Sequence, residues 1–291
     1  MVVTSRLREL LASSDLIVAP GAYDALSARL ITQAGFPVAY MTGFGTAASM
    51  LGQPDVGLVT MSEMVHRAAA LTSVMGDCPL IADADTGYGN PINVRRTLRE
   101  YERAGVAAIH IEDQVWPKRC GHMEGKRVIP LEEMVQKIRA AVDARENPDF
   151  VIIARTDANG VYGLKEAIRR ARAYREAGAD MLLIEALRSP EEMFLVTETF
   201  RDIPLVFNWV ESGKTPLLSL DELHRLGFKL VLFSVSLLFA ATYNVLLLLE
   251  LLKQGQTSAS FASQMVTFSQ FTEHVGLPEI EALERRYGLV R

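Results

Sequence analysis

Cysteine is scarce in this sequence, and basic residues do not outnumber acidic ones. The 291 residues include only two cysteines, Cys78 and Cys120, so no disulfide scaffold is indicated. The 30 lysines and arginines stand against 35 aspartates and glutamates, and the net charge of -5 offers no cationic surplus for a phosphate backbone. Residues 1–11 lack the charged and then apolar pattern of a secretory leader. We therefore expect a protein of the reducing cytoplasm that does not bind nucleic acid.

Only one segment, residues 230–252, is long and apolar enough to suggest a membrane span. Polar side chains interrupt it, and its beginning at residues 229–235 is typical of a buried strand that leads into a helix. We therefore expect no membrane span. The interrupting residues are Ser234, Ser236, Thr242, Tyr243, Asn244 and Glu250.

A repeated unit of helix, glycine and strand is present instead. Four times an amphipathic segment runs into a glycine that suits a left-handed helix C-cap, and an apolar run follows. The runs are hydrophobic throughout, which is typical of parallel strands covered on both faces. The glycines are Gly35, Gly105, Gly178 and Gly227, and the strands after them are 38–42, 107–113, 180–186 and 229–235.

Eight strands in all alternate with helices, of which residues 131–145 are an example with apolar residues on one face. No linker divides the chain, and no G-x-G-x-x-G follows a strand. This pattern predicts one α/β domain over residues 1–291, a closed parallel (β/α)8 TIM-type barrel, with residues 236–291 as a C-terminal helical extension. The apolar residues after Gly255 cover either their own barrel or a neighbouring subunit. The four further strands are 16–19, 79–83, 150–155 and 204–208.

Acidic residues cluster where strands three and four end. Asp83 and Asp85 are two apart and point the same way from an extended strand end, and Glu112 joins them from the next strand. Oxygen ligands of this kind suit Mg²⁺, which keeps waters and leaves places for substrate oxygens. The alternative is that these carboxylates cap the following helices.

The loop after strand four, residues 116–127, is cationic and contains Cys120. Arg119 and His122 flank this thiol, and Gly121 and Gly125 are candidate hinges. Cys120 therefore has the surroundings of a nucleophile, a metal ligand or a general acid. A zinc site is disfavoured because no second cysteine lies at ligand spacing.

Strands five to seven also end in polar residues. Arg155 follows four apolar residues, and its guanidinium suits a carboxylate or carbonyl oxygen. Glu185 ends strand six, and Asn208 and Glu211 follow strand seven. Together they predict a polar pocket.

These residues resemble the isocitrate lyase and phosphoenolpyruvate mutase superfamily over residues 16–241. The K-R-C-G-H motif is specific for its lyase branch, which disfavours a phosphonate mutase or hydrolase. The whole constellation also disfavours a catalytically silent barrel. The motifs are D-A-D-T-G-Y-G at 83–89, H-I-E-D-Q at 110–114, K-R-C-G-H at 118–122, A-R-T-D-A at 154–158 and N-W-V-E-S-G-K-T-P at 208–216.

The resemblance implies a barrel whose last helix is swapped between subunits, in a homotetramer built from dimers. It also implies Mg²⁺ as cofactor, with Mn²⁺ as a substitute, and a small dicarboxylate as substrate. In the lyases the bond breaks in retro-aldol fashion while Mg²⁺ and Arg155 polarise the oxygen on the carbon under attack. Cys120 protonates the departing enolate, and closure of the loop at 116–127 excludes water.

The resemblance further assigns site residues. The metal is surrounded by Asp55, Asp83, Asp85 and Glu112. The 2-oxo acid carboxylate is held by Tyr40, Thr42, Gly43 and Phe44. The catalytic residues are Cys120, Arg155, Glu112, Tyr40 and His122, and Gly121, Glu185, Asn208 and Ser234 also bind substrate.

Two departures bear on the substrate. Trp209 and Val210 stand where isocitrate and 2-methylisocitrate lyases carry hydroxyl residues, which favours the dimethylmalate lyase branch. Ser234 stands where the lyases usually have proline, a replacement associated with oxaloacetate hydrolases. We therefore expect a Mg²⁺-dependent lyase that cleaves a 2-hydroxy dicarboxylate of the 2,3-dimethylmalate or 2-methylisocitrate type to a 2-oxo acid, such as pyruvate, and a carboxylate. The alternative is an oxaloacetate acetylhydrolase that yields oxalate and acetate.

Overall fold

The computed structural model describes residues 2–121 and 125–289 of the chain. It forms two compact units, one up to Ser236 and one from Leu237 onward.

Eight parallel strands close the first unit into a barrel, paired in sequence order with the last strand against the first. This confirms the predicted (β/α)8 TIM-type fold, and each strand lies within a few residues of its predicted bounds. The strands are β1 Ile17–Ala22, β2 Ala39–Met41, β3 Leu80–Asp83, β4 Ala108–Glu112, β5 Val151–Thr156, β6 Met181–Ile184, β7 Leu205–Trp209 and β8 Leu230–Phe233.

Helices follow the strands, and the four predicted capping glycines all have the positive φ that a left-handed C-cap requires, between 80° and 104°. The helices of this unit are α1 Val3–Ala12, α2 Ala25–Gln33, α3 Gly43–Leu51, α4 Met61–Thr72, α5 Pro91–Arg103, α6 Leu131–Ala144, α7 Ala158–Tyr162, α8 Leu164–Glu176, α9 Pro190–Thr199 and α10 Leu220–Leu226.

Alternation along the strands divides the core into two layers. Ile81 and Val151 belong to the cluster inside the barrel, whereas Ile109 and Ile152 belong to the cluster between the strands and the helices. Leu7 of α1 is fully buried in the inner cluster. Since α1 also bonds to the residues that precede β5 and β6, it covers the amino-terminal end of the barrel. Polar groups are therefore left to gather at the carboxyl ends.

The second unit is helical. The first helix, α11 Ser236–Lys253, begins directly after the predicted strand β8, so the interpretation of this segment as strand and then helix is confirmed. By length and composition alone α11 would also suffice to cross a membrane. None of its residues is buried within the described chain. The elements that follow are the 3-10 helix Ser258–Gln264, α12 Phe268–His274 and α13 Leu277–Arg286.

Candidate active site

Charged and polar side chains are buried at the carboxyl ends of the strands. Burial of so many charges requires that they pair with one another or with a ligand. Asp83 ends β3, Glu112 ends β4 and Arg155 lies near the end of β5, as the sequence predicted. The buried set at this end comprises Thr42, Asp55, Asp83, Asp85, His110, Glu112, Lys118, Arg155, Asp157, Glu185 and Ser234.

Lys118 lies among the carboxylates that were predicted to surround a metal. Its Nζ is 2.6 Å from the Asp55 carboxylate and 2.7 Å from Asp85 Oδ1. Burial alone would lower the pKa of Lys118, but the carboxylates of Asp85 and Asp55 outweigh this effect and raise it well above its ordinary value. Lys118 is thus a buried ammonium ion in an acidic site. Sequence analysis had read it only as part of a cationic loop.

Burial raises the pKa of Asp85 to about 7, against the opposing field of Lys118. Asp83 Oδ1 accepts a hydrogen bond of 2.9 Å from the Asp85 backbone N–H. Within residues 2–121 and 125–289, no three Asp, Glu, His or Cys side chains converge in a metal-ligand arrangement. The Lys118 ammonium lies between Asp55 and Asp85, where a metal cation was expected. The roles of Asp55, Asp83, Asp85 and Glu112 as metal ligands therefore stay a prediction.

Tyr40, His110 and Asp83 form a second group across β2, β4 and β3. Tyr40 Oη lies 2.7 Å from His110 Nε2, and this nitrogen lies 3.5 Å from Asp83 Oδ1. Burial lowers the pKa of His110, which keeps the imidazole neutral near pH 7, and burial raises the pKa of Tyr40 well above its ordinary value. The pair is therefore a hydroxyl that meets an uncharged base. His110 had no assigned role from sequence.

Arg155 lies among three carboxylates. Its Nε is 2.9 Å from Asp157 Oδ2 and 3.2 Å from Glu112 Oε2, and its Nη2 is 3.5 Å from Glu185 Oε2. Burial raises the pKa of Glu112 well above its ordinary value despite the opposing charge of Arg155. Glu112 Oε1 is buried and has no hydrogen-bond partner in the part of the chain that the structure describes. The site thus contains an acceptor oxygen that a cation or a donor on a ligand would satisfy.

The ends of β6, β7 and β8 are joined by a chain of hydrogen bonds. Asn208 Nδ2 donates to Glu185 Oε2 over 3.0 Å, and Ser234 Oγ donates to Asn208 Oδ1 over 2.5 Å. Ser234 therefore fixes the orientation of the Asn208 amide. Glu211 takes no part in this chain, because its Oε1 accepts from Ser236 Oγ instead.

Residues 42–44 form the amino-terminal turn of α3 at the same end of the barrel. Thr42 Oγ1 accepts from the Gly45 backbone N–H and caps the helix. Gly43 lies so close to Asp83 that a Cβ there would collide with the carboxylate. Phe44 is half-buried. Backbone N–H groups at a helix start suit a carboxylate, as the resemblance implied.

The segment that contains Cys120 contacts Asp55 and approaches Arg155 and Glu185. The Cys120 backbone N–H donates to the Asp55 carbonyl over 3.2 Å. The Gln114 amide holds the backbone of Arg119 through two hydrogen bonds of 2.8 Å and 3.0 Å. A Cβ added to Gly121 would lie 2.6 Å from Arg155 Nη2 and 2.8 Å from Glu185 Cγ. This half-buried thiol is thus next to a residue in contact with Arg155, whereas His122 lies outside the described residues.

Asp157 and Lys126 are further residues that the sequence analysis did not single out. Asp157 bonds to Arg155 and to Lys126 Nζ, the latter over 2.7 Å. A signal existed for Asp157, since a residue two positions after Arg155 leaves an extended strand on the same side. No local signal identified Lys126 as its partner, 31 residues away in the sequence.

A closed parallel barrel with a polar, charged and buried set at its carboxyl ends defines an enzyme of the TIM-barrel kind. A family model described as phosphoenolpyruvate phosphomutase matches residues 7–252. Over 291 residues the sequence is 50% identical to 2,3-dimethylmalate lyase of Eubacterium barkeri, with 100% of each chain covered. Over 276 residues it is 44% identical to a 2-methylisocitrate lyase of Aeropyrum pernix, covering 94% of this chain and 88% of the relative.

Solved structures agree with these relatives. A crystal structure of 2,3-dimethylmalate lyase matches with a TM-score of 0.91 at 40% identity and covers 99% of this chain and 96% of the other. Oxaloacetate acetylhydrolase bound to 3,3-difluorooxalacetate matches with 0.93 at 40% identity, with 99% and 97% covered. Phosphonopyruvate hydrolase in complex with oxalate and Mg²⁺ matches with 0.88 at 33% identity, with 99% of each chain covered. The chain belongs to the phosphoenolpyruvate mutase and isocitrate lyase superfamily, and within it the chain groups with the carbon–carbon lyases.

Proposed function

We propose that the protein cleaves the C2–C3 bond of a 2-hydroxy dicarboxylate of the 2,3-dimethylmalate type, or of the related tricarboxylate 2-methylisocitrate, with Mg²⁺ as cofactor. The products are a 2-oxo acid such as pyruvate and a carboxylate. The observation that carries the proposal is the contact of Gly121 with Arg155 and Glu185, because it brings the Cys120 segment to the guanidinium expected to hold the substrate. The 50% identity to 2,3-dimethylmalate lyase supports this substrate class.

The acidic strand ends fit a divalent cation. Asp83, Asp85, Asp55 and Glu112 are the residues that would hold it, in the carboxylate-rich surroundings that Mg²⁺ prefers. The unpartnered Glu112 Oε1 and the ammonium ion already present between Asp55 and Asp85 support this fit. When bound, Mg²⁺ neutralises the negative charge that develops on substrate oxygens. In its presence Lys118 must share the carboxylates or move from them.

The residues of the chain supply the remaining steps. The backbone N–H groups at the start of α3 bind the carboxylate next to C2, and Arg155 donates hydrogen bonds to the C2 oxygen. The C2 hydroxyl gives its proton to Tyr40 Oη, which passes its own to the neutral His110 over the observed 2.7 Å. The O–H electron pair forms the new C=O bond, and the C2–C3 pair moves to C3.

Protonation at C3 completes the reaction, and the Cys120 thiol is the proposed donor. Cys120 and the Arg155 contact come from one segment, so binding at Arg155 and protonation at C3 are geometrically linked. Turnover of 2,3-dimethylmalate is therefore expected to require both the metal and the thiol. A coupled assay of pyruvate should show loss of activity with a chelator, its return with Mg²⁺, and loss in Cys120→Ala. Activity that survives both treatments would refute the proposal.

Ser234 favours a second candidate function, oxaloacetate acetylhydrolase. Its hydroxyl is buried at the end of β8 and is hydrogen-bonded to Asn208 in the polar pocket. A hydroxyl at this position suits a hydrogen bond with a hydroxyl of hydrated oxaloacetate. Ser234→Ala would then abolish oxalate formation, whereas lyase activity on an alkylmalate would persist.

We also propose that the protein is a cytoplasmic homotetramer in which dimers exchange α11. The 18 residues of α11 are mostly apolar, yet none is buried within one chain. An exposed apolar helix of this size is typical of a subunit interface. Light scattering coupled to size exclusion should give four times the mass of the chain. A monodisperse monomer would contradict the proposal.

A further inference from the structure

Asp157 joins two cations that belong to different parts of the site. Its side chain is fully buried. Oδ2 accepts from Arg155 Nε over 2.9 Å, and Oδ1 accepts from Lys126 Nζ over 2.7 Å. One carboxylate thus connects the arginine on β5 with a lysine of the segment after Cys120.

Lys126 extends this connection to the cysteine. Its Nζ also donates to the backbone carbonyl of Gly121, the residue next to Cys120. The Lys126 side chain is only 5% exposed, so both bonds are shielded from solvent, where charge-assisted hydrogen bonds are strong. A continuous path of polar contacts therefore runs from the Cys120–Gly121 peptide through Lys126 and Asp157 to Arg155.

A second buried carboxylate, that of Asp113, fixes the backbone of Asp157. Its Oδ1 accepts from the Asp157 backbone N–H over 2.9 Å. Its Oδ2 accepts from Thr156 Oγ1 and Tyr174 Oη, each over 2.7 Å, and from Arg170 Nη1 over 3.1 Å. The peptide that presents Asp157 is thus fixed by Asp113, the residue after β4, which residues of α8 hold in turn, and small displacements of the Asp157 carboxylate are opposed.

We propose that Asp157 is a positioning residue that sets the orientation of Arg155 and the placement of the Cys120–Gly121 segment at the same time. Asp157 touches neither substrate nor metal in this role. The inference rests on the proposed function, in which Arg155 binds the substrate oxygen and Cys120 delivers a proton. It predicts that loss of Lys126 disturbs one of these groups and that loss of the Asp157 charge disturbs both.

Asp157→Asn and Lys126→Met separate the two effects. For Lys126→Met we expect kcat to fall by about 10-fold with unchanged oxalate affinity, because only the cysteine segment loses its hydrogen bonds. For Asp157→Asn we expect kcat to fall by about 100-fold and oxalate affinity, measured calorimetrically with Mg²⁺, by about 10-fold, because Arg155 also loses its partner. The double variant should match Asp157→Asn, because Lys126 without the Asp157 charge no longer anchors the Cys120–Gly121 segment.

Alkylation of Cys120 by iodoacetamide tests the placement without turnover. Peptide mass spectrometry should show that Cys120 reacts faster in both variants, whereas Cys78, which lies just before β3 at the opposite end of the barrel, reacts at an unchanged rate. Lys126→Arg should restore slow alkylation because it keeps the charge. These readouts decide the role of Asp157 even if no carbon–carbon bond is cleaved, so failure of this inference and failure of the proposed function are distinguishable.

Asp180 offers a matched control. This carboxylate also joins two cations, Arg8 over 2.7 Å and Arg145 over 2.8 Å, and accepts a backbone N–H from Ile152, but it lies at the amino-terminal end of the barrel. Asp180→Asn should lower the melting temperature and leave kcat, oxalate affinity and Cys120 alkylation unchanged.

The inference is overturned if Lys126→Met leaves Cys120 alkylation and kcat at wild-type values. It is equally overturned if the effects of Asp157→Asn and Lys126→Met on kcat multiply in the double variant. Circular dichroism establishes folding of each variant beforehand. Lys126→Met decides the question alone if Asp157→Asn does not fold, because it leaves the buried carboxylate and its backbone bonds in place.

Discussion

Replacement of Gly121 by alanine should slow catalysis strongly while leaving the fold intact. The added Cβ would lie 2.6 Å from Arg155 Nη2 and 2.8 Å from Glu185 Cγ. Arg155 cannot withdraw easily, because Asp157 and Glu112 hold its Nε. The Cys120 segment must therefore retreat by about 1 Å to restore van der Waals contact, and a displacement of about this size costs roughly 100-fold in rate. We expect kcat to fall by about that factor.

The assay is steady-state turnover combined with thermal unfolding. Gly35→Ala is the control, because Gly35 caps α2 at a φ of 81° with open space around it. That substitution should cost about 1 kcal/mol of stability and leave kcat unchanged. Turnover of Gly121→Ala at the wild-type rate, or a loss of activity that unfolding explains, would show that the approach of Gly121 to Arg155 does not matter for catalysis.

Three further predictions follow from the site. Tyr40→Phe removes the hydroxyl that lies 2.7 Å from His110 Nε2. Steady-state kinetics should therefore show kcat lower by about 100-fold with KM little changed. An unchanged kcat would exclude Tyr40 from proton transfer. The pKa of Asp85, raised to about 7 by burial, predicts that Mg²⁺ titrated calorimetrically binds about 10-fold more weakly at pH 6 than at pH 8, because protons compete for the carboxylate at the lower pH. Asp85→Asn should reduce this difference, and a flat profile in the wild type would contradict the prediction. The Asp113 carboxylate accepts four hydrogen bonds, so Asp113→Asn should lower the free energy of unfolding in urea by about 3 kcal/mol. Glu166 takes part in a partly exposed ion pair, and Glu166→Gln should lower the free energy of unfolding by less than about 1 kcal/mol. Equal losses would refute the structural role of Asp113.

The barrel was predictable from sequence because its signals are local. Each strand is a continuous apolar run, and glycines such as Gly35 and Gly105 mark helix ends by their need for positive φ. The strand-end positions of Asp83, Glu112 and Arg155 follow from the same pattern, since parallel strands bring their carboxyl ends to one side.

The contacts among these residues were not predictable, because they depend on loops with no periodicity. Lys118 bonds to Asp55, 63 residues away, and nothing near either residue indicates the other.

Glu112 and Asp113 are adjacent and look alike in the sequence. Strand alternation sends Glu112 to Arg155, whereas it sends Asp113 outward to Arg170 and Tyr174 on α8.

Product analysis by proton NMR would show whether the protein cleaves the carbon–carbon bond of a 2-hydroxy acid. The protein and Mg²⁺ would be incubated in parallel with 2,3-dimethylmalate, 2-methylisocitrate and oxaloacetate, beside Cys120→Ala. We expect pyruvate and propionate from 2,3-dimethylmalate, or pyruvate and succinate from 2-methylisocitrate, and no product from the variant. Oxalate and acetate from oxaloacetate, with no pyruvate from the other substrates, would contradict the proposed lyase activity and identify an oxaloacetate hydrolase.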